Sequence, residues 1–597
     1  MQQEKDPHRE QALDPIALSL FSSRLSAVCE EMGAVLRQAA LSPNIRDRLD
    51  FSCAVFDAQG ALCAQAAHIP VHLGSMAFAM ADLVAAHAWA EGDMLILNDP
   101  FLGGTHLPDV TLIAPVFASD CDVESAPNSG SESGSESGSE SGSESDSESD
   151  SESDSLSHVT KSDATKVPVE ADGSKQPELI AFVVNRAHHA DIGATSPGSM
   201  PISTRLDQEG LVIPPSLLLR GGELDAVRFA GITGATRDSG AAGGDFLAQI
   251  SANRAGIKRL GELIERLGMA RFRKSLDALN DYGERLARAT LSEVPDGEYS
   301  FTDYMDDDGQ GQRDIPIRVR LRISGSEVEI DFAGTAAQVA GNINCPLAVA
   351  AAAVFYVFRC LMPPQTPACA GSFRPLRIQA PAGSLVNASR PAAVAAGNVE
   401  TSMRIVDTVL GALSQALPKR IPAASQGSMN NLAMGSPNSP RAAEQAPDRA
   451  ITAAARQSWD YYETIAGGIG AGALHRGASG RHSHMTNTLN TPIEVLESRF
   501  PLRVRRYAVR TGSGGDGKHP GGDGLIREYE FLAATEATLI GERHTHAPWG
   551  LQGGSPGQPG RYRCNGQQVS AKVALSLQAG DRLCIETPGG GGYGLAG

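Results

Sequence analysis

A tract rich in serine, glycine and acidic residues interrupts the first third of the chain and limits how the segments on either side of it can fold. Residues 118–177 contain the run SGSESGSESGSESGSESDSESDSESD, which cannot bury apolar surface and is predicted to be disordered. The apolar runs that end at Phe117 and begin at Leu179 are typical of buried strands. Because candidate site motifs flank the tract on both sides, we interpret it as an insertion in a hairpin loop, which costs little entropy, rather than as a domain boundary. A phosphorylated or cation-binding tail is the functional alternative.

Histidine and aspartate follow two apolar runs closely. The run MLIL precedes NDPFLGGTHLPD, and the run LIAFVV after the tract precedes NRAHHADIG. Side chains at the end of a strand are aimed by a rigid element and exposed by the loop that follows. Imidazole and carboxylate groups are ligands for Zn, Mn or Fe, although the spacing matches no standard zinc signature. The candidate ligands of one divalent metal ion are Asp99, His106, His188, His189 and Asp191.

The two adjacent histidines are expected to differ in role, because neighbouring residues of an extended strand point to opposite faces. The predicted metal ligands are Asp99, His106, His188 and Asp191. The predicted catalytic residues are His188, His189 and Asp99, and a residue of this set that does not bind the ion would act as a general base. A bound ion would lower the pKa of water or polarise a carbonyl group. In the alternative interpretation the histidines cap strands and pair with the aspartates.

Two further segments supply candidate substrate contacts. In AHIPVHLGSM, His68 and His72 are candidates for the same site, although a histidine beside apolar residues is more often structural. In SQGSMNN, polar side chains stand between small residues and suit an amide-bearing substrate. The residues assigned in this second segment are Ser425, Gln426 and Asn430.

Charge and composition limit the partners of the chain. The net charge of −18 argues against a nucleic acid partner, and twelve acidic residues between Asp120 and Asp154 contribute most of it. Nine dispersed cysteines without a C-x-x-C pair favour a reducing compartment. The N-terminus lacks an apolar signal core, and the longest apolar run, Cys345 to Phe358, is too short to span a bilayer. We therefore expect a cytoplasmic protein that binds neither nucleic acid nor membrane.

A glycine-rich segment, GSGGDGKH at residues 512–519, resembles a phosphate-binding loop except at its last position. His519 stands where a hydroxyl group would bind magnesium, and the Pro-Gly-Gly that follows cannot open the required helix. The segment GGGGYG at residues 589–594 matches a dinucleotide fingerprint by its letters but has no helix after it. The chain is therefore not expected to bind ATP itself.

Hydrophobic periodicity predicts an α+β fold with several subdomains, mixed sheets, flanking helices and a β-rich C-terminal part. The predicted helices include residues 14–41, 76–90, 245–267 and 270–291. Apolar and polar residues alternate over residues 299–332, which predicts strands with arginines on one face. A chain of 597 residues is longer than a single hydrophobic core usually supports, so more than one domain or subdomain is expected. The predicted regions are an N-terminal catalytic α/β region at 1–117 and 178–295, the insertion at 118–177, a central α+β region at 296–498 and a β-rich region at 499–597.

Several long motifs carry a resemblance to a known family. They are RLDFSCAVFDAQG, AHIPVHLGSM, NDPFLGGTHLPD, NRAHHADIGATSPGSMP and, near the C-terminus, ETPGGGGYG. From about Ser42 onward the chain resembles the hydantoinase B/oxoprolinase family. That family comprises the B subunits of ATP-dependent hydantoinases and the C-terminal half of 5-oxoprolinase, and it is related to the α subunits of acetone carboxylases. The acidic tract is not part of the family pattern.

The resemblance implies a function that the residues alone do not specify. Family members open 5-oxoproline or a hydantoin by cleaving an internal amide with ATP hydrolysis. By analogy, a partner A subunit of actin-like ATPase type would phosphorylate the lactam oxygen, and this chain would direct water to the activated ring at its metal site. The chain is thus predicted to be the B subunit of a hetero-oligomeric hydrolase. The alternatives are an α-type subunit of an acetone- or acetophenone-like carboxylase and a non-catalytic scaffold, and the choice between 5-oxoproline and hydantoin stays open.

Overall fold

The computed structural model describes residues 14–66, 69–118, 177–437 and 459–597. The predicted disorder of residues 119–176 and the predicted substrate contact of His68 lie outside these ranges. Within the described part of the chain, no helix combines the length and the apolar character needed to cross a membrane. The eight cysteines that the structure describes are free thiols.

An antiparallel sheet forms the first layer of the fold. Its strands are β1 (Phe51–Asp57), β2 (Leu62–Ala66), β3 (Met94–Leu97), β4 (Asp109–Phe117), β5 (Leu179–His188), β6 (Ser216–Arg220) and β7 (Glu223–Leu224). The seven strands are ordered β2-β1-β5-β4-β3-β6-β7. The two strands that flank the acidic tract pair directly, from Asp109 opposite His188 to Phe117 opposite Leu179. This pairing confirms the predicted hairpin.

Helices pack on this sheet, two of them before its first strand in sequence, one between β2 and β3, and three after its last strand. They are α1 (Pro15–Ala39), α2 (Pro43–Arg46), α3 (Pro70–Ala85), α4 (Ala226–Thr233), α5 (Ser239–Leu267) and α6 (Met269–Leu291). Asp14 caps α1 as predicted, because its carboxylate accepts a hydrogen bond from the backbone N–H of Ile16. The helix predicted from residue 76 begins earlier, since Pro70 suits a first helical turn. His72 therefore lies on a helix, in the first turn of α3.

A second sheet and two buried helices form the central core. The strands are β8 (Gly297–Asp307), β9 (Arg313–Ser324), β10 (Glu327–Asp331) and β11 (Leu376–Gln379), and the helices are α7 (Leu347–Leu361) and α8 (Ser402–Ala416). Strand β9 buries Ile317, Val319 and Leu321 and leaves the arginines between them partly or fully exposed, as the alternation predicts. Helix α7 packs against α3 at Gly74, where an added Cβ would lie 2.6 Å from the Cα of Ala352. This close approach fixes the helix that carries His72.

The C-terminal part is rich in strands. One sheet contains β12 (Asn431–Gly435), β13 (Asp460–Glu463), β16 (Thr535–Ile540) and β19 (Lys572–Leu577), and a second contains β14 (Leu502–Arg510), β15 (Gly524–Phe531), β17 (Arg561–Cys564), β18 (Gln567–Val569) and β20 (Arg582–Glu586). A short helix, α9 (Ile493–Arg499), lies between β13 and β14 in sequence. The mixture of helices with separate antiparallel and mixed sheets confirms the predicted α+β class, whereas the predicted boundaries near residues 295 and 498 stay a prediction.

Candidate metal centre

The hairpin of β4 and β5 brings an aspartate and a histidine face to face. Strand β4 begins at Asp109 and β5 ends at His188, and these two residues are partners across the strand pair. His106 lies three residues before Asp109, in the loop that enters β4. The Nδ1 atom of His188 is 3.0 Å from Oδ1 of Asp109, and Nε2 of His106 is 3.2 Å from each of these two atoms. All three side chains are buried.

The spacing of these atoms suits a divalent metal ion. Nitrogen and oxygen ligands bind zinc at about 2.0–2.2 Å, so neighbouring ligands of one ion lie roughly 3 Å apart. The three donor atoms are 3.0–3.2 Å apart, and sets of imidazole and carboxylate accept Zn, Mn and Fe. The atom of His188 that faces the other two ligands is Nδ1, and its Nε2 is buried without a hydrogen-bond partner in the described part of the chain. By the chemistry and spacing of their donor atoms, His106, Asp109 and His188 fit a metal ion.

Three other side chains hold the second oxygen of Asp109. The Thr105 hydroxyl donates to Oδ2 at 2.6 Å, and Nδ2 of Asn398 donates to it at 3.2 Å. The Nε2 atom of His72 lies 3.3 Å from the same oxygen, while its Nδ1 contacts Ser52 at 3.2 Å. Such partners orient a ligand and tune its affinity for an ion. Oδ1 of Asp109 is thus the oxygen that faces His106 and His188.

Electrostatics keep this carboxylate ionised. Burial alone would raise the pKa of Asp109, but the charges of His106 and His72 outweigh burial and hold that pKa well below its ordinary value. Burial would lower the pKa of His106, and the neighbouring Asp109 reverses this and raises it. For His188 burial prevails and lowers the pKa. Its neutral imidazole has a lone pair available for a metal ion.

Asp109, rather than Asp99 or Asp191, is the carboxylate of this group. The side chain of Asp99 accepts a hydrogen bond from the backbone N–H of Phe101 at 3.0 Å and pairs with Arg390. These contacts fix the turn that follows β3 and direct Asp99 away from His188. Asp109 is absent from the predicted ligands, although it lies in the same motif as Asp99 and three residues after His106.

Asp191 stabilises the loop after β5 instead of joining the histidines. Its Oδ1 accepts hydrogen bonds from the Ser199 hydroxyl at 2.7 Å and from the backbone N–H of Gly193 at 2.9 Å. Its Oδ2 accepts the backbone N–H of Arg237 at 2.8 Å. Both oxygens are therefore used within the protein. The structure groups His106, Asp109 and His188 as candidate ligands, whereas Asp99 and Asp191 lie outside this group. The predicted ligand set of Asp99, His106, His188 and Asp191 stays a prediction.

His189 points to the opposite face from His188, as the alternation of an extended strand requires. Its Nε2 contacts Oε1 of Gln249 at 2.9 Å, and its ring stacks on Phe246 with centroids 4.1 Å apart. Burial lowers the pKa of His189. The structure thus places His188 at the metal centre and His189 against α5, and the predicted catalytic roles of His188, His189 and Asp99 stay predictions.

The predicted substrate contacts fall into two places. His72 lies beside Asp109, next to the candidate ligands. Ser425 accepts a hydrogen bond from the backbone N–H of Gly470, and the Asn430 side chain donates to Oε1 of Gln426 at 2.9 Å. These three side chains, in the loop before β12, hold one another and the loop after β13. None of them lines the small cavity at the metal centre.

A small cavity adjoins the candidate ligands. Its volume is about 20 Å³ and its wall includes His72, Asp109 and His188, which is room for roughly one water molecule. Tyr462 covers His188 with its ring stacked at 4.7 Å. Oδ1 of Asn398 is buried without a hydrogen-bond partner in the described ranges, and Asn398 also lines the cavity. Nothing in the sequence near His106 or His188 points to Asn398, which lies 289 residues after Asp109.

Asn398 lies on a single π-helical turn, Gly397–Thr401, that precedes α8. Such turns often occur at functional sites. The same turn carries Glu400, whose Oε1 accepts hydrogen bonds from the backbone N–H of Met429 and from Nδ2 of Asn431. Burial raises the pKa of Glu400 to about 8, and Glu542 adds to the rise. Glu400 is therefore a neutral acid in the folded protein at pH 7.

Replacing Glu400 with glutamine is expected to flatten the pH dependence of stability. Between pH 4.5 and about 8 the folded chain holds a proton on Glu400 that the unfolded chain releases, so its unfolding free energy falls as the pH rises through this range. The unfolding free energy of Glu400→Gln does not fall in this way, because glutamine has no proton to release. The variant is therefore expected to be more stable than the unmodified protein by about a few kcal/mol at pH 8–9 and equally stable at pH 4.5. Urea unfolding across this range measures the difference.

Glu293→Gln is the matched control for the Glu400 experiment, because its side chain is 68% exposed. Its unfolding free energy should follow that of the unmodified protein at every pH. If the unfolding free energies of Glu400→Gln and the unmodified protein changed with pH in parallel, Glu400 would not be a buried neutral acid.

Comparison with known proteins identifies the family. The sequence profile described as hydantoinase B/oxoprolinase matches residues 14–125 and 161–596. The chain belongs to the hydantoinase B/oxoprolinase family. An uncharacterised protein of Methanocaldococcus jannaschii is 35% identical to it, over 98% of this chain and 91% of the relative. 5-Oxoprolinase 1 of Arabidopsis thaliana is 33% identical, over 98% of this chain and 42% of the relative.

The relatives fall into two length classes. This family member spans about two fifths of the length of the 5-oxoprolinases. It spans 90% of a Pseudomonas protein named as the B-type subunit of a D-/L-hydantoinase, with 28% identity over 98% of this chain. Among solved structures, the ATP-dependent caprolactamase of Pseudomonas jessenii has a TM-score of 0.79 and 25% identity, over 98% of this chain and 92% of that one. Acetone carboxylase shares the fold, with a TM-score of 0.78 and 17% identity over 98% of this chain and 76% of that one.

Proposed function

We propose that this chain is the B-type, metal-dependent subunit of an ATP-dependent cyclic amide hydrolase that opens 5-oxoproline or a hydantoin ring. The observation that carries the proposal is the buried group of His106, Asp109 and His188 beside a cavity of about 20 Å³. The near full-length match to the B-type component of a hydantoinase and the likeness to an ATP-dependent caprolactamase support it.

The residues around the group have definable tasks in ring hydrolysis. A divalent ion held by His106, Asp109 and His188 would supply a Lewis acid for the ring carbonyl and lower the pKa of water. Thr105 and Asn398 fix Asp109 through its second oxygen, so that Oδ1 keeps its direction. A water molecule in the cavity would have polar partners on its wall, and Oδ1 of Asn398 is an acceptor without a partner in the described ranges. Because the cavity is smaller than a ring substrate, part of its wall moves when a substrate enters.

The ATP-binding function is proposed for a partner A subunit. In this chain the glycine-rich segment at residues 512–519 packs as a structural loop. The backbone N–H groups of Gly514, Gly515 and Lys518 donate to Asp523, Gly590 and Gly594. These N–H groups are therefore used within the protein and are not free to bind a phosphate, which supports ATP binding by a partner subunit.

The decisive test combines this chain with an A-type subunit. We expect the pair to convert 5-oxoproline to glutamate, or a hydantoin to its N-carbamoyl amino acid, only when ATP and a divalent metal ion are present. The isolated chain should show no turnover, and ADP should form in step with ring opening. Ring opening by the isolated chain without ATP would refute the proposal that a partner subunit binds and uses the ATP.

A carboxylase is the second candidate, because acetone carboxylase shares the fold. The same reconstituted pair should therefore be offered acetone or acetophenone with ¹⁴C-bicarbonate. Incorporation of label into an acid-stable product, without activity on cyclic amides, would replace the hydrolase proposal with the carboxylase.

A further inference from the structure

The backbone just before α8 contacts two of the three candidate metal ligands. The carbonyl oxygen of Ala395 lies 3.3 Å from Nδ1 of His106. A few residues further on, Nδ2 of Asn398 donates to Oδ2 of Asp109 at 3.2 Å. We call residues 394–398 the ligand-holding segment, because this short stretch orients His106 and Asp109 together.

The Ala395 carbonyl determines which ring nitrogen of His106 can bind a metal ion. A carbonyl oxygen only accepts hydrogen bonds, so the proton of the neutral His106 ring lies on Nδ1. The lone pair is then on Nε2, the atom that is 3.2 Å from both Nδ1 of His188 and Oδ1 of Asp109. Metal-binding histidines commonly donate their other N–H group to a carbonyl oxygen in this way. The position of one peptide group thus sets the donor atom of His106.

The side chain of Glu209 anchors this peptide group. Its Oε1 accepts the backbone N–H groups of Val394 and Ala395, each at 3.0 Å, and its Oε2 lies 3.2 Å from the backbone nitrogen of Val394. The Ser203 hydroxyl also donates to Oε1, at 2.7 Å. Glu209, Val394 and Ala395 are fully buried. Because a buried N–H group needs an acceptor, the carboxylate of Glu209 holds residues 394 and 395 in place.

Main-chain contacts hold the other end of the ligand-holding segment. The carbonyl oxygen of Asn342 accepts the N–H groups of Ala396 at 3.0 Å and of Gly397 at 3.1 Å. At Gly397 an added Cβ would lie 1.8 Å from the carbonyl oxygen of Asn344. Residues 396 and 397 are thus fixed by backbone atoms, whereas residues 394 and 395 donate to a side chain. A substitution at Glu209 therefore loosens the Ala395 peptide and leaves these backbone contacts in place.

We propose that Glu209 is a positioning residue of the metal centre, which fixes the direction of Nε2 of His106 through the Ala395 peptide. It steadies Asp109 as well, because the segment that it anchors carries Asn398. Glu209 acts through this segment and not as a ligand, since it lies outside the group of three donor atoms.

The assignment rests on the metal centre of the proposed function and adds a residue that ring hydrolysis itself does not require. Metal binding can be measured on the isolated chain without ATP, substrate or an A-type partner. Absence of ring opening in a reconstituted pair would leave the role of Glu209 in metal binding untouched. Conversely, Glu209 variants that keep their metal would leave the hydrolase proposal standing.

Titration of the isolated full-length chain with Co²⁺, in competition with a chelator, tests the role of Glu209. Burial raises the pKa of Glu209 to about 7, so a buffer at pH 8 keeps most of this carboxylate ionised. Glu209→Ala removes the acceptor and is expected to bind Co²⁺ about 10- to 100-fold more weakly than the unmodified protein, as other losses of a ligand's outer partner do. Its Co²⁺ absorption spectrum should change too, because the spectrum depends on ligand geometry. Glu209→Gln keeps an acceptor oxygen but not the charge and should lose about 3- to 10-fold.

Asp306→Ala is the matched control for Glu209→Ala. Asp306 is likewise buried, and its carboxylate accepts the backbone N–H groups of three consecutive residues, His544, Thr545 and His546. None of these residues lines the cavity at the metal centre. Asp306→Ala should lose stability but keep the Co²⁺ affinity and the spectrum of the unmodified protein.

Three results would overturn the proposal. Equal losses of affinity in Asp306→Ala and Glu209→Ala would show that damage to any buried loop weakens metal binding. Unchanged affinity and spectrum in Glu209→Gln would exclude a positioning role even if Glu209→Ala fails to fold. Absence of Co²⁺ binding by the unmodified chain would remove the metal centre and this assignment together.

Discussion

The variant Asp109→Asn is expected to purify with far less metal than the unmodified protein and to show no measurable ring opening with an A-type partner. Asparagine keeps the shape of the side chain but removes the negative charge that lies 3.0–3.2 Å from two imidazoles. Loss of an outer partner of a ligand costs about 10- to 100-fold in metal affinity, and loss of a ligand should cost more. Metal content by mass spectrometry and glutamate formation measure the two effects.

Asp99→Asn and Asp191→Asn are the matched controls for Asp109→Asn. Each removes one buried carboxylate charge from a neighbouring loop, and neither residue lies in the group of His106, Asp109 and His188. Both controls should keep their metal. Unchanged metal content in Asp109→Asn, or loss of metal in Asp99→Asn alone, would reject the ligand set given by the structure.

Arg527→Leu is expected to lower the unfolding free energy by about 3–5 kcal/mol, because it leaves a buried carboxylate without its cation. Arg527 on β15 contacts Glu463 on β13 through Nε at 2.8 Å and Nη2 at 3.1 Å, and both side chains are fully buried. The rings of Tyr507 and Tyr529 lie 4.4 and 5.2 Å from the guanidinium. Urea unfolding measures the loss.

The double variant Arg527→Leu/Glu463→Leu should recover part of this stability, since replacing both partners removes the unpaired charge. Arg322→Leu is the control, because its pair with Glu329 is exposed and should contribute less than about 1 kcal/mol. A loss below about 1 kcal/mol for Arg527→Leu would show that the pair does not hold β13 to the C-terminal sheets.

Local patterns predicted most of the elements that form the site. The apolar runs that end at Phe117 and begin at Leu179 predicted the hairpin, and the alternation of an extended strand separated His188 from His189. The sequence named Asp99 and Asp191 but not Asp109, whose place beside the histidines depends on the register of β4 against β5, which sets Asp109 opposite His188. One residue of slip would reverse the face of every side chain on the strand, and residue types alone do not report that register.

Long-range contacts account for what the sequence did not reveal. Asn398 reaches Asp109 from the π-helical turn that precedes α8, and Tyr462 arrives on a strand from the C-terminal part. A second, larger cavity of about 380 Å³ likewise combines α2, α5 and β13, which no local pattern connects. For Ser425 and Asn430 the sequence pattern suggested contacts with a substrate, whereas in the structure their side chains make hydrogen bonds within the protein.

Strand β13 gives the two cavities a common wall. It is four residues long, and Asp460 and Tyr462, two positions apart, lie on the same face of it. Asp460 lines the larger cavity, and Tyr462 covers His188. Coupling free energies are reciprocal: if a molecule in the larger cavity displaces β13 and so tightens or loosens the hold on a metal ion, the ion must alter the affinity for that molecule by the same factor. Apo and metal-loaded protein would then respond to different concentrations of that molecule.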